Sequence, residues 1–500
     1  MRRPALTFFI LIFSFHAFSA YDFNENCINA FNKILCLRFE EGENLISIEK
    51  SKHPDNLIPY YIESYIDFIT LMIGEDKDDY KNLKSQRDEK IGKLQHGDKS
   101  SPFYRYCLAD VYMQWAMARF KFNDIIGCAL DAKKAYGLLV ENNKLFPSFI
   151  PNSKGLGLFH AGFGLAPEEA KWFMQIVSLE GTVEQGINEM KSVMEASFNN
   201  REYVWLRPES VFLLTLMQLN LISDDKKAMA LRSQYEDNRL KDLVQSSPIL
   251  VFSYANLLMR TGFNDKAIEI LLKSPAGNGY FPFYYIKYLT GLAKLRRLDK
   301  DAFEYLFSYV LKYKGENYIK SAYQKIAWYY LIHGNEEKYH EYMKRIMIYG
   351  GTVVDGDKQA LKEARSNEIP NIYLLKSRLL FDGGYYEAAL DILLNTQKDK
   401  LVKDTRNEIE YNYRIGRIFH EWGKVSEAIP YYKETIVKGS RYSFYFAANA
   451  SLQLGYIYES ATDYDKARYY YKKCLSMNFN EYKNSIQAKA KAGLNRIRFK

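Results

Sequence analysis

Between Tyr413 and Ile436 the chain reads YRIGRIFHEWGKVSEAIPYYKETI, in which Gly416 is followed by Gly423, Ala428 and Tyr432 at offsets of 7, 12 and 16. Ile415, Phe419 and Trp422 fall on one helix face, and Val425, Ala428, Ile429, Tyr432 and Ile436 form a second stripe at helical period. Gly423 stands between the stripes, suited to the left-handed turn that ends a helix. Pro430 comes early in the second stripe, where a missing N–H costs least. The segment therefore predicts two antiparallel helices joined by a tight turn. Such helices approach closely only where the crossing side chains are small. That places Gly416 opposite Ala428 and leaves Tyr432 to fill the space toward the next hairpin.

The spacing recurs along the chain. Gly455, Ala467 and Tyr471 repeat it with Thr462 in the turn, and Ser377, Gly384, Ala389 and Leu393 repeat it in full. So do Ala255, Gly262, Ala267 and Leu271, while Ala327, Gly334, Tyr339 and Met343 carry a bulkier crossing residue. Gly291 fits less well, because Ala302 arrives one residue early. The first small residues stand at 255, 291, 327, 377, 416 and 455, in steps of 36, 36, 50, 39 and 39. A helix–turn–helix unit of about 34 residues with slightly long connections accounts for every step but the longest. That step holds an insertion from Tyr349 to Asn371, whose glycines and Asp357 predict a loop and then a short helix with Asp357 as its N-cap.

On these residues the chain resembles the tetratricopeptide-repeat family from roughly 247 to 479. It departs from that pattern at the family's early tryptophan, where Asn412 and Ser451 stand. The resemblance implies an all-α helical-hairpin solenoid, stabilised by stacked neighbours, with the first helix of each unit lining an inner face. Upstream, Gly155 to Met190 is similar to the N-terminal part of the tetratricopeptide-repeat-39-type family, which implies an atypical helical scaffold and no catalytic residue. The expected organisation is a leader at 1–19, a helical region at 20–100, an atypical repeat-like region at 101–200 and the solenoid with a basic capping helix at 201–500.

The leader rests on Arg2 and Arg3, the apolar run ALTFFILIFSF and an Ala17-x-Ser19 cut, the parts of a cleaved secretory signal. It predicts export, with a mature chain starting near Ala20 or Tyr21 in the periplasm or outside the cell. The formal charge of +9 is spread thinly, which argues against a nucleic-acid partner. The five cysteines are too few for a disulfide scaffold in 500 residues, and pairing of Cys27 with Cys36 stays open. LIPYYIESYIDFITLMIG has membrane length, but Glu63 and Asp67 interrupt it, which predicts a packed amphipathic helix.

Chemistry is sparse. No histidine pair has the spacing of a helical zinc site, and no cysteine pair has zinc-ligand spacing. GLGLFHAGFG lacks the third glycine and preceding strand of a dinucleotide loop, so its glycines predict close helix packing. Cys474 takes a position that suits a small buried side chain. No cofactor, metal or catalytic group is implied, and the oligomeric state is not legible.

The inner face is the remaining candidate. Residues one and five beyond each crossing residue, and three before it, are expected to point into it. They include Asn256, Arg260, Arg296, Trp328, Arg378, Tyr413, Arg417 and Tyr456. Arginine forks interleaved with aromatics suit an extended peptide bearing carboxylates. The expected function is thus an exported scaffold that binds a protein or an acidic peptide without catalysis. Attachment to a membrane surface through Gly155–Pro167, or a superhelical cell-wall enzyme, are the competing readings.

Overall fold

The structure is a computed structural model that describes residues 20–165, 181–221, 225–498 and 500. The leader and Pro167 lie outside the described residues. Helices joined by short turns make up the fold, with no strand among the described residues. Two compact units emerge, one of Met1–Ser223, Ser233–Leu250 and Pro275–Phe283, the other of Asp224–Arg232, Val251–Ser274 and Tyr284–Lys500.

The first unit begins with α1 (Glu25–Leu35), α2 (Phe39–Lys52), α3 (Ile58–Ile69), α4 (Lys77–Gln95), α5 (Pro102–Lys121), α6 (Ile125–Leu145) and α7 (Asn152–Leu165). It continues with α8 (Val183–Asn199) and α9 (Arg207–Leu221). The segment of membrane length is α3 and a following π-helical turn. Glu63 pairs with Lys50 at 2.5 Å and Asp67 with Lys90 at 2.6 Å, so the interrupting acids hold α3 to its neighbours. No helix among the described residues is long and apolar enough to cross a membrane.

Aromatic rings fill this core, with Phe23 stacked on Trp205 at 4.1 Å. Within it lies a buried ion network: the Lys154 ammonium, fully shielded, contacts Asp110 at 3.0 Å and Glu209 at 2.9 Å and donates to the Tyr65 hydroxyl at 2.9 Å. The α7 glycines do pack a helix crossing. A Cβ on Gly157 would come within 2.8 Å of the Gly186 carbonyl oxygen in α8. Cys27 and Cys36 are both thiols. One sits in the first turn of α1 and the other just past its end, about 13 Å of helix away and beyond disulfide reach.

The second unit is a run of helical hairpins. They are α10 (Pro248–Arg260) with α11 (Asn264–Leu272), α12 (Tyr285–Arg296) with α13 (Ala302–Lys312), and α14 (Ile319–Ile332) with α15 (Glu336–Ile348). After α16 (Asp355–Ser366), the insertion, come α17 (Ile372–Asp382) with α18 (Tyr386–Asn395) and α19 (Thr405–Glu421) with α20 (Val425–Gly439). The last are α21 (Phe446–Ser460) with α22 (Tyr464–Ser476), and the capping helix α23 (Lys483–Arg496).

All six turn positions seven residues beyond the crossing residue are left-handed: Gly262, Gly334, Gly384 and Gly423, and also Leu298 (φ 63°) and Thr462 (φ 61°). Crossing geometry differs from expectation in one respect. The side chain closest to Gly416 is Tyr432, whose ring carbon would lie 2.9 Å from an added Cβ, rather than Ala428. Tyr471 packs against Gly455 in the same way and also against Gly493 of α23. A ring packed on a glycine fills the gap that two small residues would leave open.

The insertion also differs from expectation. Val354 precedes α16 and makes no side-chain cap bond, while Asp357 is turned away to another helix. Its carboxylate accepts the backbone N–H of Tyr318 at 2.6 Å and of Ser321 at 2.8 Å, capping α14. Tyr318 itself is left-handed and offers α14 no cap, so an acid 39 residues on serves instead.

Candidate functional site

The first helices of the second, third and fourth hairpins, α12, α14 and α17, all touch one another. Beside them α16 forms a wall, and the start of α19 faces it across a cavity of about 900 Å³. Trp328 and Arg378 line it, with Glu363 and Lys362 from α16, Arg406, Glu410 and Arg414 from α19, and the rings of Phe444, Tyr445 and Tyr482.

The charged groups are organised in pairs. Arg414 binds Glu410 at 2.7 Å, and Arg406 bridges Glu481 at 3.2 Å and Glu368 at 3.4 Å while lying over the Phe444 ring. Five lining cations (Lys325, Lys362, Arg378, Arg406 and Arg414) meet five lining carboxylates (Glu363, Glu368, Asp404, Glu410 and Glu481), so the cavity as a whole is balanced. Trp328 is buried, with its indole N–H donating to Glu363 at 2.7 Å, Lys325 Nζ 4.0 Å from the ring centroid and the Arg378 guanidinium carbon at 5.1 Å. Burial pushes the Lys325 ammonium down to about 7, with Arg378 adding to the push and Glu363 and Asp382 opposing it.

Of the eight residues expected on the inner face, the cavity brings together Trp328 and Arg378. Arg296 does not line the cavity but lies within electrostatic reach of Lys325. Arg260 lies within reach of Arg296. Asn256 turns back to donate to the Phe252 carbonyl at 2.8 Å. Tyr413 is buried in the core against Phe446, at 5.3 Å between rings. Arg417 pairs with Glu421 at 2.8 Å, and Tyr456 packs on Tyr471.

The lining instead follows offsets of six and two before the crossing residue and one after it: Asn371 at the N-cap of α17 with Leu375 and Arg378 in that helix, Glu410 and Arg414 in α19, and Lys325 and Trp328 in α14. The cavity therefore faces the N-terminal halves of the first helices, where α16 stands, and positions five beyond the crossing lie past its end. Lys325, Glu363, Arg406 and Arg414 were missed. Stepping back three and four residues from Trp328 and Arg378 along the same helix face would have found Lys325 and its counterparts.

Residues 409–436 and 448–481 match the tetratricopeptide repeat family. These are the fifth and sixth hairpins, α19–α20 and α21–α22. The chain carries tetratricopeptide repeats. The four hairpins before them share the left-handed turn position of these tetratricopeptide units. Ala255, Ala327 and Ser377 are likewise fully buried at their crossings. No curated protein sequence matches the chain.

Proposed function

We propose that the chain is an exported scaffold that holds a peptide or protein partner in the cavity of its second unit and performs no catalysis. The observation that carries this reading is a cavity of about 900 Å³ walled by first helices of successive hairpins, one of which, α19, begins a matched tetratricopeptide repeat, lined by aromatic rings and by Arg406 and Arg414 held in place by carboxylates. Rigid rings and pre-oriented guanidinium forks lower the ordering cost of binding an extended chain. The family typically binds protein partners, and the leader-like sequence of Arg2, Arg3 and the apolar run supports export to the periplasm or beyond.

Crosslinking followed by affinity capture of the chain from an envelope extract tests the reading. A discrete protein partner is expected, lost when Arg378 and Arg414 are both changed to glutamate in a chain that still melts cooperatively. Capture that survives the double change would move the site elsewhere. Export is tested by sequencing the N-terminus of the chain from a cell fraction, with Ala20 or Tyr21 expected first.

A second reading, attachment to a membrane surface, is favoured by Phe120, Ile126 and Leu130, which are 65%, 79% and 64% exposed where α5 meets α6. Flotation with lipid vesicles, abolished by Ile126→Asp, would support it.

A further inference from the structure

Positive charge is concentrated at the C-terminal end of the second unit. The last 40 residues hold ten lysines and arginines against three acids, a net side-chain charge of +7 where the whole chain carries +9. The thin spread expected of the chain therefore describes the residues before α22 and not α22 and α23 themselves. All three acids are engaged: Asp463 with Lys466 at 2.6 Å, Asp465 with Arg468 at 2.9 Å, and Glu481 with Arg406 of α19 at 3.2 Å. Arg496 is held by Glu459 of α21 at 2.7 Å. The Arg468 guanidinium also donates to the Ile497 and Lys500 carbonyls at 3.3 and 3.2 Å, which ties the start of α22 to the end of α23. Ala467, Tyr471 and Cys474 of α22 and Ile486, Ala490 and Gly493 of α23 are the buried stripes of the two helices. Lys472, Lys483 and Lys491 stand outside those stripes, exposed and with no carboxylate at ion-pair distance among the described residues. Lys473 joins them beside Tyr469, a ring 56% exposed whose hydroxyl accepts from its ammonium at 3.4 Å.

We propose that the outer faces of α22 and α23 dock on a bilayer surface rich in anionic phospholipid headgroups. Like charges gathered on neighbouring helices repel one another, and a layer of phosphates offsets that repulsion. Clusters of four or more cations on exposed helices meet anionic bilayers in this way. The type of cation favours lipid over nucleic acid. Arg468 and Arg496 are committed to carboxylates, so the charges left open are lysines, compact ammoniums on flexible stems. Such groups suit a fluid layer of phosphates, whereas base edges and fixed phosphates are read by the planar fork of arginine. An exposed tyrosine among them suits the headgroup layer, which accommodates an apolar ring and a polar hydroxyl together. Lys472, Lys473, Lys483 and Lys491 line no part of the cavity, and they are not the residues of the apolar patch between α5 and α6, so the surface stands independently of both.

Co-sedimentation of the whole chain with sucrose-loaded vesicles tests this at about 0.1 M salt. One set of vesicles is phosphatidylcholine alone, the other phosphatidylcholine and phosphatidylglycerol in equal parts. The chain is expected to bind the mixed vesicles only and to leave them at about 1 M salt, where screening is nearly complete. Lys472→Glu with Lys491→Glu should weaken binding about tenfold or more, and Lys472→Arg with Lys491→Arg should keep it. Both pairs should melt as the parent chain does, since the side chains are exposed. Lys99→Glu with Lys300→Glu, an equal change of charge on exposed turns elsewhere, should leave binding unchanged. Binding to phosphatidylcholine alone as strong as to the mixture overturns the inference, as does failure to bind either. Equal weakening by the control pair, or binding that survives Lys472→Glu with Lys491→Glu, also overturns it; loss on Ile126→Asp in that last case assigns the attachment to α5 and α6. A random-sequence DNA duplex bound more tightly than the mixed vesicles, and released by the same lysine pair, overturns the lipid assignment.

Discussion

The hydroxyl of Ser377 donates to the backbone carbonyl of Ala389 at 2.8 Å, joining α17 to α18 across the twelve-residue offset that recurs along the chain. Both residues are fully buried. Ser377→Ala removes the bond without opening a large void and is expected to cost about 1 kcal/mol in a denaturant titration. Ala428→Leu, at the equivalent offset in α20, adds three carbons where none fit and should cost about 1–3 kcal/mol. An unchanged melting temperature for Ala428→Leu would argue against the crossing.

Tyr471 lies against Gly455 on one side and Gly493 on the other, so one ring binds the sixth hairpin and caps it. A Cβ on Gly493 would lie 2.5 Å from that ring. Gly493→Ala should therefore loosen α23 selectively. Hydrogen exchange should rise across Lys483–Arg496 while exchange in α19 and α20 holds.

Thr462 sits in the left-handed region at an exposed turn, where a β-branched residue is strained. Replacing it with glycine relieves that strain against a smaller entropic loss, and Thr462→Gly is expected to stabilise the chain by about 0.5–1 kcal/mol. The reverse change, Gly423→Thr, should destabilise by about 1–2 kcal/mol. A matched pair of chemical melts decides between these signs.

Asp357 is held up at about 6 by burial, which outweighs the N–H groups of Ser321 and Tyr318 that favour its charged form. A folded-state value above the ordinary 3.8 means that the native chain holds this proton more tightly than the unfolded chain. Its contribution is thus fully present below about pH 4 and is lost as pH rises through 6. Between pH 4 and 7.5 the wild-type chain should lose up to about 3 kcal/mol relative to Asp357→Asn, which cannot titrate. Parallel pH-dependent slopes for the two chains would refute the assignment.

Lys154 has two carboxylates and a tyrosine hydroxyl around it, and no solvent. Lys154→Met leaves Asp110 and Glu209 facing each other unpaired and is expected to cost about 3–5 kcal/mol. Adding Asp110→Asn and Glu209→Gln should recover much of that loss, measured as a melting temperature.

The hairpins were legible because their requirements are local. A left-handed turn favours glycine, a close crossing excludes Cβ atoms, and both recur at offsets countable along one helix pair. Leu298 and Thr462 nonetheless occupy the left-handed position, since neighbouring packing can hold an ordinary residue there. The cavity was legible only in part. Trp328 and Arg378 were found from their offset, while Tyr413 went into the core and Lys325 was passed over. The rotation of each first helix about its own axis is set by what packs against it, and α16, which interrupts the repeat, decides which side chains remain open.

By itself the sequence determined the helices, their pairing and their turns, because helical period and backbone sterics act within a few residues. Only the tertiary structure decided that Asp357 caps a helix 39 residues upstream, that Tyr471 joins two glycines of different helices, and that Lys325 and Arg378 meet over the Trp328 ring. Those relations join residues far apart in the chain. Their distances depend on the summed angles of every intervening packing contact, and no local pattern encodes that sum.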